Sequence, residues 1–549
     1  MSSAPELREN LVPANTFNRL ILALIIAVAT FLRFWRLGTV SPPTADEVLA
    51  SVDLHAVITT GRHYTGGRVG LLGQLIPILD GRREVSVIGT QVTDLRLVPA
   101  AFGVMTVVCV YVLAKELFDE RVALFSAAAL AVMPWDIYLS RVFFPASETT
   151  FATLLSAYLL LVALRQRSLA AGVGTAIAAA LSIYTYPAAI VLTPLILLAV
   201  LLHRPILVKR YGTFLASSVL GAFVLLMVPY VVQHLDPTDP SVALANSVTG
   251  QKLLWDQGFT ATSDLRRFAL NWLSYFRPNF WLLHGDPNVR SSIQVLGQVG
   301  WILGVLGCLG FFLTGFRPLI RRRTLILWTI FFPIADAVTY YNAQSNSVRG
   351  SFGYVVWALW AGLGADSLLR LARDSSALRR ISLSALGLGV IVQTVFFGTT
   401  YFGSYPTKYG YAFETGYAQV GGILRSRGVQ NVPITFHGGY ERGPILNYFN
   451  DYHLSIAQTL LSCYDLPPDV VKYTVLPRVF VIREDRDFDA IPGCIRDNIQ
   501  RDVRSLRSVP NDHVQVLADY PNSPSGPWRT AILFVTARNQ ISRSSRPSS

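Results

Sequence analysis

Charge is what this chain has least of. Only 15% of its 549 residues are Asp, Glu, Lys or Arg, where soluble domains carry about 25%. With 52% hydrophobic residues and a mean hydropathy of +0.41, the deficit excludes an ordinary soluble domain and describes a polytopic α-helical membrane protein. Cysteine is scarce too: four are too few for a disulfide scaffold. Cys109 and Cys308 fall in apolar runs and read as packing residues. Cys463 and Cys494 fall in a polar C-terminal part and are the disulfide candidates if that part is exported. No Walker loop, nucleotide fingerprint, zinc-ligand spacing or internal repeat occurs, so no energy-coupling module is visible. A small-residue cleavage pattern after the first apolar run is also missing, and that run reads as an uncleaved span.

What is present is a series of apolar runs long enough to cross a ~30 Å hydrocarbon core. About eleven spans are expected, at 19–37, 96–117, 121–139, 148–164, 169–186, 187–203, 212–232, 294–316, 324–341, 352–371 and 381–400. Only Tyr184-Thr-Tyr-Pro187 divides the fifth from the sixth, its proline favouring a break. The formal net charge of +13 invites a nucleic-acid partner. The Lys and Arg lie instead in short loops, such as Arg165-Gln-Arg167, Arg321-Arg-Arg323 and Arg370 to Arg380, all on one side if each span crosses once. That side is cytoplasmic by the positive-inside bias, with the N-terminus inside and the C-terminus outside. The outside then carries two loops, about 38–95 and 234–292. The apolar stretch Val69 to Leu79 in the first of them suits an interfacial helix. The membrane domain ends near residue 400. Residues 401–537 read as an extracytoplasmic α/β domain, with strand-like runs at 432–436, 479–483, 514–518 and 531–536 and a helix at 416–427. Residues 538–549 read as a disordered tail.

In this topology the ionisable residues at the outer span ends mix both signs. Asp46 and Glu47 follow the first span; Arg33 and Arg36 close it. Asp94 and Arg96 precede the second, Asp136 and Arg141 end the third, and Glu148 opens the fourth. His284, Asp286 and Arg290 precede the eighth, and Arg349 follows the ninth, which itself holds Asp336. Such groups are costly in lipid, so their gathering implies a polar cavity at the outer surface. Simpler roles compete: Arg33 and Arg36 can snorkel to the interface, Asp136 can cap a helix or bond Arg141, and His284 can be an ordinary loop residue.

Guanidiniums hold phosphate by forked hydrogen bonds, and a carboxylate can take the proton of an attacking hydroxyl. An outward-facing transferase without a nucleotide site needs a donor that arrives through lipid, such as a sugar on a polyprenyl phosphate. Arg96, Arg141, Arg290 and Arg349 are the candidates for its phosphate, and Glu148, His284, Asp286 and Tyr184 for other substrate contacts. Carboxylates meeting phosphate are compatible with a divalent metal, but no ligand set in the sequence requires one. Nucleic acid is excluded as a partner; membrane lipid is required. A transporter or flippase of lipid-linked sugars is the alternative, though it would want polar residues along a whole path, and the inner halves of the spans are nearly free of acids apart from Asp366.

With these residues in place, the chain resembles integral-membrane glycosyltransferases of the GT-C fold, in particular bacterial relatives of the protein O-mannosyltransferases and of the lipid A aminoarabinose transferase. The resemblance rests on Asp46-Glu47 opening the first loop, Arg96-Leu-Val-Pro-Ala100 starting the second span, Pro134 to Arg141 ending the third, and His284-Gly-Asp-Pro-Asn-Val-Arg290. It implies Asp46 as the catalytic carboxylate with Glu47 supporting it or binding substrate, an active site on the outer face of a bacterial plasma membrane, and a glycan, lipid or protein acceptor. The tyrosine that often follows the Asp-Glu pair is absent, since Val48-Leu-Ala-Ser51 stands there, and a lectin-like insert is missing. A protein acceptor is therefore not specifically implied.

Overall fold

The computed structural model describes residues 14–62, 91–203, 220–224, 226–228, 261–313, 319–339, 345–410 and a few shorter pieces beyond. Two compact units divide the chain: residues 1–41 with 57–406, and residues 42–56 with 407–549. The described helices are α1 (Ala14–Phe34), α2 (Ala45–Thr60), α3 (Val92–Leu95), α4 (Leu97–Leu117), α5 (Glu120–Ala131), α6 (Pro134–Leu139), α7 (Ala146–Gln166), α8 (Leu169–Thr185) and α9 (Ala189–His203). They continue with α10 (Ala261–Ser274), α11 (Trp301–Leu313), α12 (Leu319–Phe331), α13 (Ile334–Ala337), α14 (Phe352–Leu371), α15 (Ser376–Thr399) and α16 (Tyr405–Tyr409). Among the described residues, five helical stretches are long and apolar enough to cross a membrane: Thr16–Phe34, Val92–Leu117, Ala146–Gln166, Phe352–Leu371 and Ser376–Tyr409. Leu169–Thr185, Ala189–Leu202 and Trp301–Leu313 are shorter apolar helices. The protein is an integral membrane protein, mostly helical.

Three expected spans are cut by their own sequence. In the third, α5 stops at Ala131 and Pro134 opens the separate helix α6, because a ring nitrogen cannot donate to the preceding turn. In the ninth, Pro333 divides α12 from α13 in the same way. In the eighth, the helix begins only at Trp301. The main chain before it donates from Gly297 to Leu282 O (3.0 Å), from Gln298 to Phe280 O (2.9 Å) and from Val299 to Trp281 O (3.0 Å). Gly297 permits this approach, since a Cβ there would sit 2.3 Å from Leu282 N. Most of the expected seventh span, the stretch 69–79, the tail 538–549 and both Cys463 and Cys494 lie outside the described residues.

Small residues let the remaining helices pack closely, as they do where lipid supplies no hydrophobic drive between helices. α11 crosses α14 main chain to main chain: a Cβ on Gly310 would meet Trp360 O at 2.0 Å, and one on Gly364 would meet Leu306 O at 1.9 Å. One end of the bundle carries ion pairs, Arg165 with Glu116 at 2.6 Å, Arg370 with the buried Asp366 at 2.7 Å and with Asp119 at 3.4 Å, and Lys115 with Glu120. These residues lie at the ends of α4, α7 and α14 and at the start of α5. The other ends of the same four helices carry the buried groups described below.

In the second unit, β1 (Ile434–Phe436), β2 (Arg478–Glu484), β3 (Val514–Pro521) and β4 (Arg529–Val535) form one sheet in the order β1-β2-β4-β3. β1 runs parallel to β2, with Ile434 beside Val479. β4 is antiparallel to both its neighbours, and a bulge interrupts β3 between Val516 and Ala518. The expected helix at 416–427 lies almost wholly outside the described residues.

Candidate active site

The first unit gathers the expected charges at one end and binds most of them to each other or to main chain. Arg33, in the last turn of α1, is 0% exposed and so does not snorkel. Its guanidinium pairs with Asp136, likewise 0% exposed, and donates to Ala131 O at 3.1 Å and Leu130 O at 3.2 Å. Those carbonyls are the ones released where α5 ends, so Arg33 caps the broken helix while neutralising the acid of the next one. Asp136 thus bonds Arg33 and not Arg141. Gly103 on α4 leaves the room: a Cβ there would meet Arg33 Nε at 2.8 Å and Ser140 Cβ at 2.5 Å.

Arg141 is 1% exposed and serves the end of α1. Its Nη1 donates to Leu32 O and Arg33 O, both at 2.9 Å, and its Nη2 to Arg36 O at 3.3 Å. Its plane lies over the rings of Phe402 (4.9 Å) and Tyr401 (5.5 Å). Arg96, also 1% exposed, donates to Ser41 O at 2.7 Å and Leu37 O at 3.3 Å. Both guanidiniums are therefore committed to carbonyls of the α1 end and the chain after it. The end of α1 leaves carbonyls without helical partners, and these two buried guanidiniums donate to them.

Asp336, whose partner is not legible in the sequence, accepts from Arg349 Nη1 at 3.2 Å and from Tyr275 OH at 2.8 Å. Arg349 also donates to Thr339 Oγ1 at 3.1 Å and hydrogen-bonds Tyr186. Burial alone would depress the Arg349 guanidinium, but Asp336 and Tyr186 hold its pKa above the ordinary arginine value. Sequence reasoning misses Tyr275 and Tyr186; the one cue to them is the aromatic richness of 272–281 and of Tyr184-Thr-Tyr-Pro187. Tyr184, the tyrosine expected at the site, donates to Leu226 O. Glu148 stands half-buried in the first turn of α7.

The His284–Arg290 stretch forms a tight, exposed turn on a buried acid. Asp286 is 3% exposed; its Oδ2 accepts from Ser347 N at 2.7 Å and its Oδ1 from Asn288 N at 2.8 Å. Burial pushes its pKa up to about 6, against the pull of the Ser347 and Asn288 amides. His284 is exposed, its Nδ1 2.7 Å from Asn279 Oδ1. Arg290 is exposed as well. A five-residue π-helical turn, Asn279–Leu283, leads into this stretch, a distortion that recurs at functional sites.

Asp46 and Glu47 belong to the second unit and stand in the first turn of α2. Glu47 is fully buried and closes a capping box: its Oε2 accepts from Thr44 N at 2.9 Å and Thr44 Oγ1 at 3.3 Å, and its own N–H donates to Thr44 Oγ1 at 3.2 Å. Asp46, one residue earlier, is exposed. Adjacent carboxylates thus have separate tasks, Glu47 turned into the helix start and Asp46 out of it. Among the described residues no three His, Cys, Asp or Glu side chains are grouped to hold a metal.

A family model described as dolichyl-phosphate-mannose-protein mannosyltransferase matches residues 84–232, the segment that holds Arg96, Arg141, Glu148 and Tyr184. Among solved structures, ArnT from Cupriavidus metallidurans bound to undecaprenyl phosphate is similar at a TM-score of 0.58 and 12% identity, over 97% of this chain and 100% of that one. The apo state of the same protein gives 0.57 and 13%, over 98% and 100%. The oligosaccharyltransferase of Archaeoglobus fulgidus in the apo form matches 80% of this chain at a TM-score of 0.49 and 15% identity, and this chain spans 64% of its length. A comparison with curated proteins finds no match. The chain has the GT-C fold of integral-membrane glycosyltransferases.

Proposed function

We propose that this protein moves a sugar from a polyprenyl-phosphate donor to a hydroxyl of a glycan, lipid or protein acceptor at the outer face of the membrane. The observation that carries the reading is the GT-C fold shared over 97% of the chain with a protein bound to undecaprenyl phosphate. Asp46, exposed at the start of α2, is the general base. It takes the proton of the acceptor hydroxyl as that oxygen attacks the anomeric carbon; the bond to phosphate breaks on the opposite side, inverting the carbon. The leaving phosphate carries developing negative charge, which Arg349 and the exposed Arg290 neutralise. Arg96 and Arg141 hold the end of α1, from which the loop bearing Asp46 departs. Glu47 supports the base by fixing the helix start. In this reading arginine supplies positive charge at the phosphate, and a divalent metal between carboxylate and phosphate is compatible with the same step. The site faces outward, and residues 401–537 are extracytoplasmic.

The test is sugar transfer from a polyprenyl-phosphate sugar by the purified chain in liposomes. Asp46→Asn keeps the shape of the side chain but not its basicity, and is expected to lower the rate by about 10²–10⁴ with donor affinity unchanged. Transfer at the parent rate would remove Asp46 from the role of base.

A further inference from the structure

Arg290 is carried on a turn whose two last carbonyls are not left to solvent. Tyr405 OH donates to Val289 O at 2.6 Å, and Tyr138 OH donates to Arg290 O. The two hydroxyls are 2.8 Å apart. Their rings pack edge to face with each other, and both pack against Tyr401, which lies in the π-helical turn Thr400–Ser404. Tyr138 comes from α6, the helix that exists because Pro134 breaks the third span. Tyr405 comes from the first residue of α16. Two elements remote in sequence therefore converge on the carbonyls of an exposed arginine and of the residue before it. Nothing about the packing of two apolar rings demands that their hydroxyls meet consecutive carbonyls.

The neighbouring contacts fix the rest of the same turn. Asn288 Oδ1 accepts from Arg290 N at 3.0 Å, Asp286 anchors to Ser347, and Ser292 Oγ donates to His284 O at 2.6 Å. The Arg290 side chain is the charged group of this turn that is exposed, Asp286 being buried. A guanidinium binds phosphate through a planar fork, so its contact is sensitive to where its main chain is held.

We infer that Tyr138 and Tyr405 are positioning residues for Arg290, setting the angle from which its guanidinium meets the donor phosphate. The inference rests on the proposed function. Two hydroxyl protons serve three oxygen contacts, so the pair is a shared unit: either tyrosine alone retains part of the hold, and removing both releases it.

The experiment uses the full chain in detergent, with undecaprenyl phosphate as the probe and its Kd as the readout. The variants are Arg290→Ala, Tyr138→Phe with Tyr405→Phe, and all three together. Phenylalanine keeps the rings and their packing. Loss of the hydroxyls is expected to weaken binding about fivefold in the parent, the scale of a hydrogen bond of ordinary net strength. With Arg290→Ala already present, the same double substitution should cause no further loss. An equal loss in both backgrounds, or none in the parent, overturns the inference. So does an Arg290→Ala variant that binds as the parent does, while parent binding itself leaves the proposed function standing. A parent chain that does not bind the probe defeats the proposed function, and the inference with it. If the double variant is poorly folded, Tyr138→Phe alone replaces it, with a smaller loss that must again vanish in the Arg290→Ala background.

Discussion

At the scale of single residues, Asp286 is the group whose environment makes the sharpest demand. It is an acid held at about 6 by burial, against an unperturbed value near 3.8. Because its folded-state pKa is raised, the folded chain binds this proton more tightly than the unfolded chain does. The stability it contributes is therefore full below about pH 4 and is lost as the pH rises through about 6. Asp286→Asn stays neutral throughout, at the constant cost of one of two accepted amide bonds. The melting temperature of the variant minus that of the parent should accordingly rise between pH 4 and pH 7. A difference that stays flat across this window would show that Asp286 does not titrate there. Glu47 provides a second residue-scale expectation. Glu47→Gln preserves the capping box, whereas Glu47→Ala should destabilise by about 1 kcal/mol, read as a lowered melting temperature. The Thr44-Ala-Asp-Glu47 pattern is a helix-start signature, and its spacing alone gives Glu47 a task different from that of Asp46. The exposure of Asp46 at the same turn cannot be read that way, because burial depends on partners the local sequence does not name.

At the scale of elements, length and composition reveal the uninterrupted helices, and prolines reveal where others break. What they do not reveal is what the breaks expose. Arg33 and Asp136 are 103 positions apart, and no periodicity within α1 or α6 announces their pairing. The reason is physical: an ion pair between helices is decided by which faces meet, not by either helix alone. The same holds for Asp336 and Arg349, although the intramembrane acid itself signals that a partner must exist. The buried Arg33–Asp136 pair allows a firm element-scale expectation. Arg33→Ala leaves the Asp136 charge and the carbonyls of Leu130 and Ala131 without their donor. It should cost about 3–5 kcal/mol, while Arg33→Met combined with Asp136→Leu should cost much less. Thermal unfolding in detergent compares the two. A single variant as stable as the parent would mean that the pair is not what joins α1 to the α5–α6 break.

For the whole first unit, the two ends of the bundle differ in how their charges are managed. At one end the basic partners of the ion pairs are exposed, as with Arg165, 66% exposed in its pair with Glu116. Such pairs contribute little to stability, and their bases serve orientation instead. At the other end Arg33, Arg96, Arg141 and Arg349 are buried and tied to acids or carbonyls, while Arg36 and Arg290 are exposed. In the proposed function the first end is the cytoplasmic one, in line with the positive-inside bias, and the His284–Arg290 turn faces outside. A version of the chain without its four cysteines can be given one at Arg165 or one at Asn288, both exposed positions. In intact cells a membrane-impermeant thiol reagent should modify the Asn288→Cys chain and spare the Arg165→Cys chain until the cells are opened. The reverse pattern would turn the protein over and place the turn, Arg290 included, on the cytoplasmic side. Nucleotide-linked donors are available there, and a lipid-linked donor would no longer be required by location. Labelling of both positions from outside would mean an even number of crossings between residues 165 and 288, against the odd number that opposite sides demand.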